Sequence, residues 1–173
     1  EELVPEKLSI GEVQKVLKNL LKEKISIRDL HTILETLADS ALYTKDTNVL
    51  TEYVRQALAR QITQTFAKDD GVIKVLTLSP STEKHVADHI QQSEQGSYLA
   101  LEPNVKQQFY HKVTEQVTRL SNVGEQAVLI TSPGLRMYVK QLVERVIPDL
   151  PVLSYNELEP QVEIKSIGVV NIG

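Results

Sequence analysis

Apolar residues in the first third of the chain recur every three or four positions, which is the spacing of one face of an α-helix. Three such runs occur, and each predicts an amphipathic helix. The first comprises Ile10, Val13, Leu17, Leu20 and Leu21, the second Ile27, Leu30, Ile33, Leu34, Leu37, Ala38 and Ala41, and the third extends from about Thr47 to Phe66. Because the connections are short, the helices must turn sharply on one another, and the pattern predicts a small orthogonal helical bundle.

Polar residues at the ends of these runs predict where the helices begin and end. Ser9 and Ser26 precede the first and second runs, where a hydroxyl can cap exposed backbone N–H groups. Asp29 follows Ser26 by three residues, as the acidic member of a capping box does. Lys22 falls in the last turn of the first helix, where a cation complements the helix dipole. We therefore expect the second helix to start at Ser26 and to leave Arg28 on its outer surface.

The hydrophobic period changes after the polar turn Ala67–Gly71, which predicts a boundary between a helical subdomain (1–68) and a C-terminal α/β subdomain (69–173). The run Val72–Leu78 is rich in β-branched residues and predicts a strand. Helices are expected from Ser79 to about Gln91, over 105–120 and over 135–146. Further strands are expected at 98–101, 127–130, 151–155 and 162–170.

Two segments share one pattern, because VLTLSP and VLITSP both consist of a strand, a hydroxyl residue and a proline that opens a helix. Two strand–helix units of this kind imply neighbouring parallel strands with right-handed crossovers. The predicted fold class is therefore α+β: a small orthogonal helical bundle followed by a compact α/β sandwich with a mixed, partly parallel sheet.

Composition and charge exclude several classes of function. The chain has 173 residues, 41% of them hydrophobic and 24% charged, as in folded globular proteins, and it contains no Cys for disulfides, thiolate catalysis or cysteine–zinc sites. No apolar run reaches 18 residues, so no membrane-spanning helix is predicted. Residues 1–68 carry ten basic and ten acidic side chains, and residues 69–173 carry nine and thirteen, so the second part holds the whole net charge of −4. A nucleic-acid partner would favour the opposite sign, and none is predicted.

The segment Thr131–Arg136 is the most site-like part of the sequence. A helix N-terminus with small residues can hold an anion, and Arg136 could assist. The same residues also make an ordinary strand-to-helix turn, and the phosphate-loop and dinucleotide fingerprints are absent. An α/β enzyme or anion-binding domain that uses this turn is the alternative function.

Metal and catalytic chemistry have weaker candidates. His85 and His89 lie four residues apart on one predicted helix and could share a metal, but the HExxH pattern is absent. No Ser–His–acid constellation or GxSxG motif is present. We predict no catalytic residues, no cofactor, no metal and no enzymatic activity.

Five cationic residues are candidates for contact with a partner protein: Lys15, Lys18, Lys22, Arg28 and Arg136. The three lysines form a basic stripe on the first helix, opposite its apolar face, and such a stripe can meet an acidic partner. The alternative is an ordinary solvated helix face. Arg28 is not needed by the predicted helix, so it is available for a partner or a neighbouring subunit.

Two long segments carry a resemblance to a known family. LVPEKLSIGEVQKVLKNLLKEKISIRDLHTILETLAD resembles the helical part, and ITSPGLRMYVKQLVERVIPDLPVLSYNEL the C-terminal part, of the cytoplasmic region of FHIPEP-family proteins, the type III export-gate proteins. The whole resembles the flagellar branch more than the virulence branch. The start at Glu1-Glu2 and the missing apolar spans suggest a fragment that lacks a membrane region.

The resemblance implies a non-enzymatic role in flagellar protein export. Proteins of this family are anchored in the bacterial inner membrane, and their cytoplasmic regions assemble into a nine-membered ring. They receive export chaperones with their substrates and act with components of the export ATPase. The expected function of this chain is ring assembly and docking of these partners on the cytoplasmic side of the membrane, with contacts from the polar helix faces.

Overall fold

The computed structural model describes residues 7–173, which form two compact units. The helical unit comprises residues 7–66 and Asn156–Pro160, and the α/β unit comprises Ala67–Tyr155 and Gln161–Gly173. The chain therefore leaves the helical unit after Phe66 and contributes five more residues to it near the C-terminus. The predicted division at residues 68 and 69 did not include this second segment.

Four helices make up the main part of the helical unit: α1 (Ile10–Lys22), α2 (Leu30–Ser40), α3 (Thr47–Ala57) and α4 (Ala59–Phe66). Both α1 and α2 pack against α3. Apolar residues at helical spacing are removed from water between them, which is the main force that holds such short helices together. The buried residues include Val16, Leu20, Ile33, Leu37, Leu50 and Val54.

The start of α2 differs from the prediction. The helix begins at Leu30 and its N-cap is Asp29, whose carboxylate accepts hydrogen bonds from the backbone N–H of Thr32 at 3.1 Å and from its hydroxyl at 2.7 Å. The hydroxyl of Ser26 accepts only from the N–H of Arg28, at 3.3 Å. The prediction that Ser26 caps this helix is wrong, because the Asp29 carboxylate offers two acceptor oxygens at the true first turn.

Just after the end of α1, Lys24 adopts the left-handed backbone conformation. Lys24 has φ 63°, and the N–H groups of Lys24 and Ile25 donate to the carbonyls of Leu21 and Leu20 at 2.9 Å each. This is the Schellman arrangement, in which glycine usually occupies the position of Lys24. It turns the chain away from α1 and leaves Ile25 buried.

The third predicted helix is interrupted, since α3 and α4 are separated at Leu58 (φ −94°, ψ 22°).

The α/β unit contains a four-stranded parallel sheet in the order β5 (Val152–Ser154), β4 (Leu129–Thr131), β1 (Val72–Leu78), β6 (Glu163–Val170). The predicted parallel pairing of the two similar strands is confirmed, with Leu76 opposite Leu129. The α+β fold class is confirmed as well. Its antiparallel part is a separate ribbon of β2 (Ile90–Ser93) and β3 (Gly96–Leu99).

Three helices cover one face of the parallel sheet: α5 (Pro80–Asp88), α6 (Pro103–Asn122) and α7 (Arg136–Val143). The prediction that α5 continues to Gln91 is wrong, because the chain enters β2 at Ile90. The core between sheet and helices includes Leu76, Leu78, Val86, Phe109, Val113, Leu129, Val139, Leu142 and Val152. A short 3₁₀ turn, Tyr155–Glu157, follows β5.

The pairing of β1 with β6 contains an irregularity. Val75 is opposite Ser166, whereas the next residue, Leu76, is opposite Gly168. The side chain of Arg119 on α6 lies against this bulge and donates from Nη2 to the carbonyl of Ile167 at 2.6 Å. A β-bulge bends an edge strand and discourages pairing with another chain.

Candidate protein-contact surface

The turn proposed for anion binding is already occupied by a carboxylate of the chain itself. Glu83 in the first turn of α5 accepts from the Thr131 hydroxyl at 2.9 Å, from the Ser132 N–H at 3.0 Å and from the Ser132 hydroxyl at 2.8 Å. These donors are the groups that a bound phosphate would need. The structure therefore does not favour the alternative of an anion-binding site at Thr131–Arg136.

Arg136 also lies differently from the prediction. Its side chain is 1% exposed, and Nη1 donates to the carbonyl of Val152 at 2.8 Å. One turn further along α7, the ammonium of Lys140 donates to the carbonyls of Pro148 and Leu150 at 3.0 and 2.9 Å. Lys140 thus holds the loop that leads into β5, and Arg136 holds the first residue of that strand. The prediction that Arg136 presents its charge to a partner is corrected, because the guanidinium is buried within the α/β unit.

Three tyrosines of the α/β unit are unequally exposed. Tyr138 is buried, Tyr110 packs partly against the core, and Tyr155 is 45% exposed. Partial burial, with the nearby charge of Glu83 as a second cause, raises the pKa of Tyr155 above its ordinary value. Tyr155 therefore stays a neutral phenol at physiological pH and can serve as an amphipathic surface contact.

The histidine pair makes a local contact. The rings of His85 and His89 stack with their centroids 4.3 Å apart, and Nδ1 of His89 lies 2.7 Å from the carbonyl of His85. Within residues 7–173 no three His, Cys, Asp or Glu residues are grouped so that they could hold a metal ion. Within the same residues, no helix is both long and apolar enough to cross a membrane.

Helix α1 presents the predicted basic stripe next to exposed apolar residues. Lys15, Lys18 and Lys22 are exposed on one side of the helix. Ile10 and Leu21 are 64% and 52% exposed, and the helical period places them on the flank between the lysines and the buried residues Val16 and Leu20. Electrostatic complementarity can orient this lysine-rich face on a partner surface of opposite charge. We call it the α1 basic face.

Helix α2 presents a face of the opposite charge. Glu35 and Asp39 are exposed on this helix, and Leu30 and Leu34, elsewhere on its surface, are 45% and 40% exposed. In the turn after the helix, Leu42 is 67% and Tyr43 84% exposed. We call these six residues the α2 acidic face. The sequence prediction assigned Leu30 and Leu34 to the buried stripe and missed this surface. The sequence carries no signal for this surface, because Leu30 and Leu34 lie in the same apolar stripe, about 100° wide, as Ile33 and Leu37.

Arg28, the remaining candidate, lies before α2 rather than within it. It belongs to the non-helical segment between α1 and α2 and is exposed. Its backbone N–H is used by Ser26, while its side chain is at the surface. Its place on the helical unit is compatible with the predicted contact role, which stays a prediction.

Sequence and structure comparisons agree on the class of protein. The model of the FHIPEP family matches residues 1–163. The flagellar biosynthesis protein FlhA of Bacillus subtilis (strain 168) is 57% identical over 172 residues, which are 99% of this chain and 25% of that protein. The low calcium response locus protein D of Yersinia pestis is 36% identical over 119 residues, 69% of this chain and 17% of that protein.

Solved structures of similar fold are related at the sequence level too. The CdsV protein of Chlamydia pneumoniae aligns with a TM-score of 0.88 and 36% identity, covering 98% of this chain and 47% of that one. Nonameric EPEC SctV-C aligns with a TM-score of 0.83 and 32% identity, covering 95% and 49%. CdsV in its complex with CdsO aligns with a TM-score of 0.80 and 34% identity, covering 98% and 48%.

The chain therefore belongs to the FHIPEP family, and the resemblance inferred from its sequence is confirmed. Its relatives include flagellar proteins and proteins of type III secretion systems. The chain spans about a quarter of the length of the flagellar relatives it matches.

Proposed function

We propose that this chain is the C-terminal part of the cytoplasmic region of a flagellar type III protein-export gate, where it serves ring assembly and partner docking without enzymatic activity. Family membership and the 57% identity to FlhA support the flagellar assignment. The longer protein would be anchored in the inner membrane, with this part on its cytoplasmic side.

The observation that carries the proposed ring role is the opposite charge of two faces in one unit. The α1 basic face offers Lys15, Lys18 and Lys22, and the α2 acidic face offers Glu35 and Asp39. In a ring each subunit uses one surface on one neighbour and a different surface on the other, so the two surfaces must be complementary. The relative SctV-C is nonameric, which supports a proposal of repeated contacts between copies. We propose that the α1 basic face, with Arg28, contacts the α2 acidic face of the next copy.

Charge reversal tests this contact in the complete cytoplasmic region, with the mass of the assembly measured by light scattering after size exclusion. We expect both Lys15→Glu with Lys18→Glu and Glu35→Lys with Asp39→Lys to reduce ring formation. Combining all four changes restores opposite charges and should restore the ring. Lys68→Glu with Lys165→Glu is the matched control, because both lysines are exposed on the α/β unit. Unchanged assembly in both reversed pairs would refute the contact.

Docking of export chaperones, their substrates and components of the export ATPase is the second part of the proposal. A relative, CdsV, was solved in complex with the CdsO protein, which supports a role in partner binding. The exposed aromatic residues Tyr98 and Tyr155, at 44% and 45% exposure, are the contacts to test on the α/β unit. Removal of residues 69–173 would not be a clean test, because Asn156–Pro160 belong to the helical unit.

The docking experiment compares pull-down of purified flagellar chaperone–substrate pairs by the complete cytoplasmic region and by its Tyr98→Ala and Tyr155→Ala variants. Reduced capture by either folded variant would place a partner surface on the α/β unit. Tyr138→Phe is the control, because Tyr138 is buried and its ring is retained. Equal capture by all forms would assign recognition to other parts of the region.

A further inference from the structure

Arg55 of α3 joins three segments of the helical unit that are distant in the sequence. Its Nε and Nη2 each donate to one carboxylate oxygen of Glu157, both at 2.8 Å. Its Nη1 lies 3.4 Å from Oε1 of Glu23, the C-cap of α1. The side chains of Arg55 and Glu157 are 2% and 1% exposed, so this paired arrangement is almost completely removed from water.

Glu157 belongs to the segment Asn156–Pro160, which we call the strap. The strap follows β5 in sequence, precedes β6 and forms part of the helical unit. Besides Glu157 it is anchored by Leu158, which is 7% exposed, and by the N–H of Glu159, which donates to the Thr63 hydroxyl at 2.9 Å. Three consecutive residues thus attach a segment from the end of the chain to helices from its beginning.

The buried ion pair between Arg55 and Glu157 affects the position of the strap more than the stability of the fold. A buried ion pair adds little net stability compared with apolar groups of similar volume, because both charges lose their hydration. Removal of one partner is costly, since the other charge remains buried without compensation. The guanidinium of Arg55 also donates two parallel hydrogen bonds to the Glu157 carboxylate, and such a bidentate pair is geometrically specific. The pair therefore fixes the position of the strap, whereas an apolar contact such as that of Leu158 would tolerate sliding.

We propose that the strap is a conformational latch of the helical unit. With Glu157 in place, Arg55 is neutralised and α3 is held against the C-terminus of α1 through Glu23. Because α1 and α2 both pack on α3, withdrawal of the strap loosens the arrangement of all three helices. This inference goes beyond the proposed ring assembly and does not depend on it.

Hydrogen exchange of the whole chain, read by mass spectrometry, tests the latch. We expect Glu157→Gln to increase exchange of amides in 155–162, α1 and α3 by roughly tenfold or more, because local opening then costs less free energy. Peptides from α6 provide the internal reference. Glu35→Gln is the control variant, since Glu35 is an exposed carboxylate on α2.

The double variant Arg55→Met with Glu157→Leu decides the matter if Glu157→Gln does not fold. It removes both charges of the buried pair, and the Glu23 carboxylate that Arg55 also contacts is 16% exposed and can still be hydrated, so we expect the variant to fold. Because apolar side chains can slide where the paired hydrogen bonds cannot, its strap, α1 and α3 should still exchange faster than those of the original chain. Exchange at the original rate in this variant would show that apolar packing alone holds the strap, and would overturn the latch. Unchanged exchange in a folded Glu157→Gln protein would overturn it as well.

Discussion

The carboxylate of Glu83 accepts hydrogen bonds from both the N–H and the hydroxyl of Ser132, at 3.0 and 2.8 Å. Since Thr131 donates to the same carboxylate, Glu83 satisfies three donors at the carboxyl ends of the central strands. Open α/β sheets commonly bind ligands at this edge. Here an internal acid takes the ligand's place and links α5 to the turn before α7.

The first prediction concerns this acid. Glu83→Gln replaces one acceptor oxygen by an NH₂ group that faces a donor, so we expect the free energy of unfolding to fall by about 1–3 kcal/mol. Denaturant unfolding monitored by circular dichroism measures the change. Glu94→Gln, at an exposed position in the turn of the β2–β3 ribbon, should leave stability nearly unchanged. Equal stability of the two variants would contradict the bridging role of Glu83.

The second prediction concerns the true start of α2. Asp29→Ala removes both acceptor oxygens from Thr32, and we expect the midpoint of thermal unfolding to fall by about 2–4 °C. Ser26→Ala should have a smaller effect, because Ser26 accepts one longer bond outside the helix. A larger fall in the thermal midpoint for Ser26→Ala than for Asp29→Ala would instead support Ser26 as the N-cap, as the sequence predicted.

The Asp29 effect should also depend on pH. Hydrogen bonds from the hydroxyl and then from the N–H of Thr32 lower the pKa of Asp29 below its ordinary value of 3.8. A carboxyl whose pKa is lower in the folded state stabilises the fold above its ordinary pKa, and this contribution is lost as the pH falls through the lowered value. Thermal midpoints of the original chain and of Asp29→Ala should therefore begin to converge below that ordinary value and should coincide once the pH is below the lowered pKa. A difference that persists there would contradict the assignment.

The third prediction concerns the left-handed residue at the end of α1. Glycine adopts positive φ without the steric cost of a Cβ atom, so Lys24→Gly should be more stable than Lys24→Ala by about 1 kcal/mol. Both variants lose the same lysine side chain beyond Cβ, so their difference isolates the backbone term. Unfolding of the two variants in urea gives this difference directly, and equal values would argue against the left-handed conformation.

The fourth prediction concerns the bulge between β1 and β6. A Cβ atom at Gly168 would lie 2.6 Å from Nη2 of Arg119, 2.7 Å from Oε1 of Gln116 and 2.7 Å from Cδ2 of Leu76. We expect Gly168→Ala to lower the free energy of unfolding by about 1–3 kcal/mol. At Gly134 a Cβ would meet nothing within 4 Å, so Gly134→Ala is the matched control. Thermal unfolding of both variants tests the difference, and equal midpoints would contradict the close packing.

The parts of the fold that follow local patterns could be predicted from the sequence. The apolar period locates α1, and the repeated strand–hydroxyl–proline pattern places β1 beside β4. The β2 strand could not be predicted this way. Its residues Ile90–Ser93 are mostly polar and exposed, and they become a strand because they pair with Gly96–Leu99.

Local sequence patterns also predict only part of the candidate contact surface. Lys15, Lys18 and Arg28 lie at the surface, as expected from the polar side of their pattern. Arg136 and Arg55 are buried although arginine is usually exposed, because each finds a partner that only the tertiary fold supplies. No local pattern around Arg55 indicates Glu157, since the two are 102 positions apart.

The distance in sequence between Arg55 and Glu157 has a consequence for folding during synthesis on the ribosome. At about 5–20 residues per second, translation reaches Glu157 roughly 5–20 s after it has made Arg55. During this interval the nascent helices contain Arg55 and Glu23 but not yet Glu157, the carboxylate that pairs with Arg55 through two hydrogen bonds. We infer that the helical unit is completed late in synthesis, although most of its residues are made first.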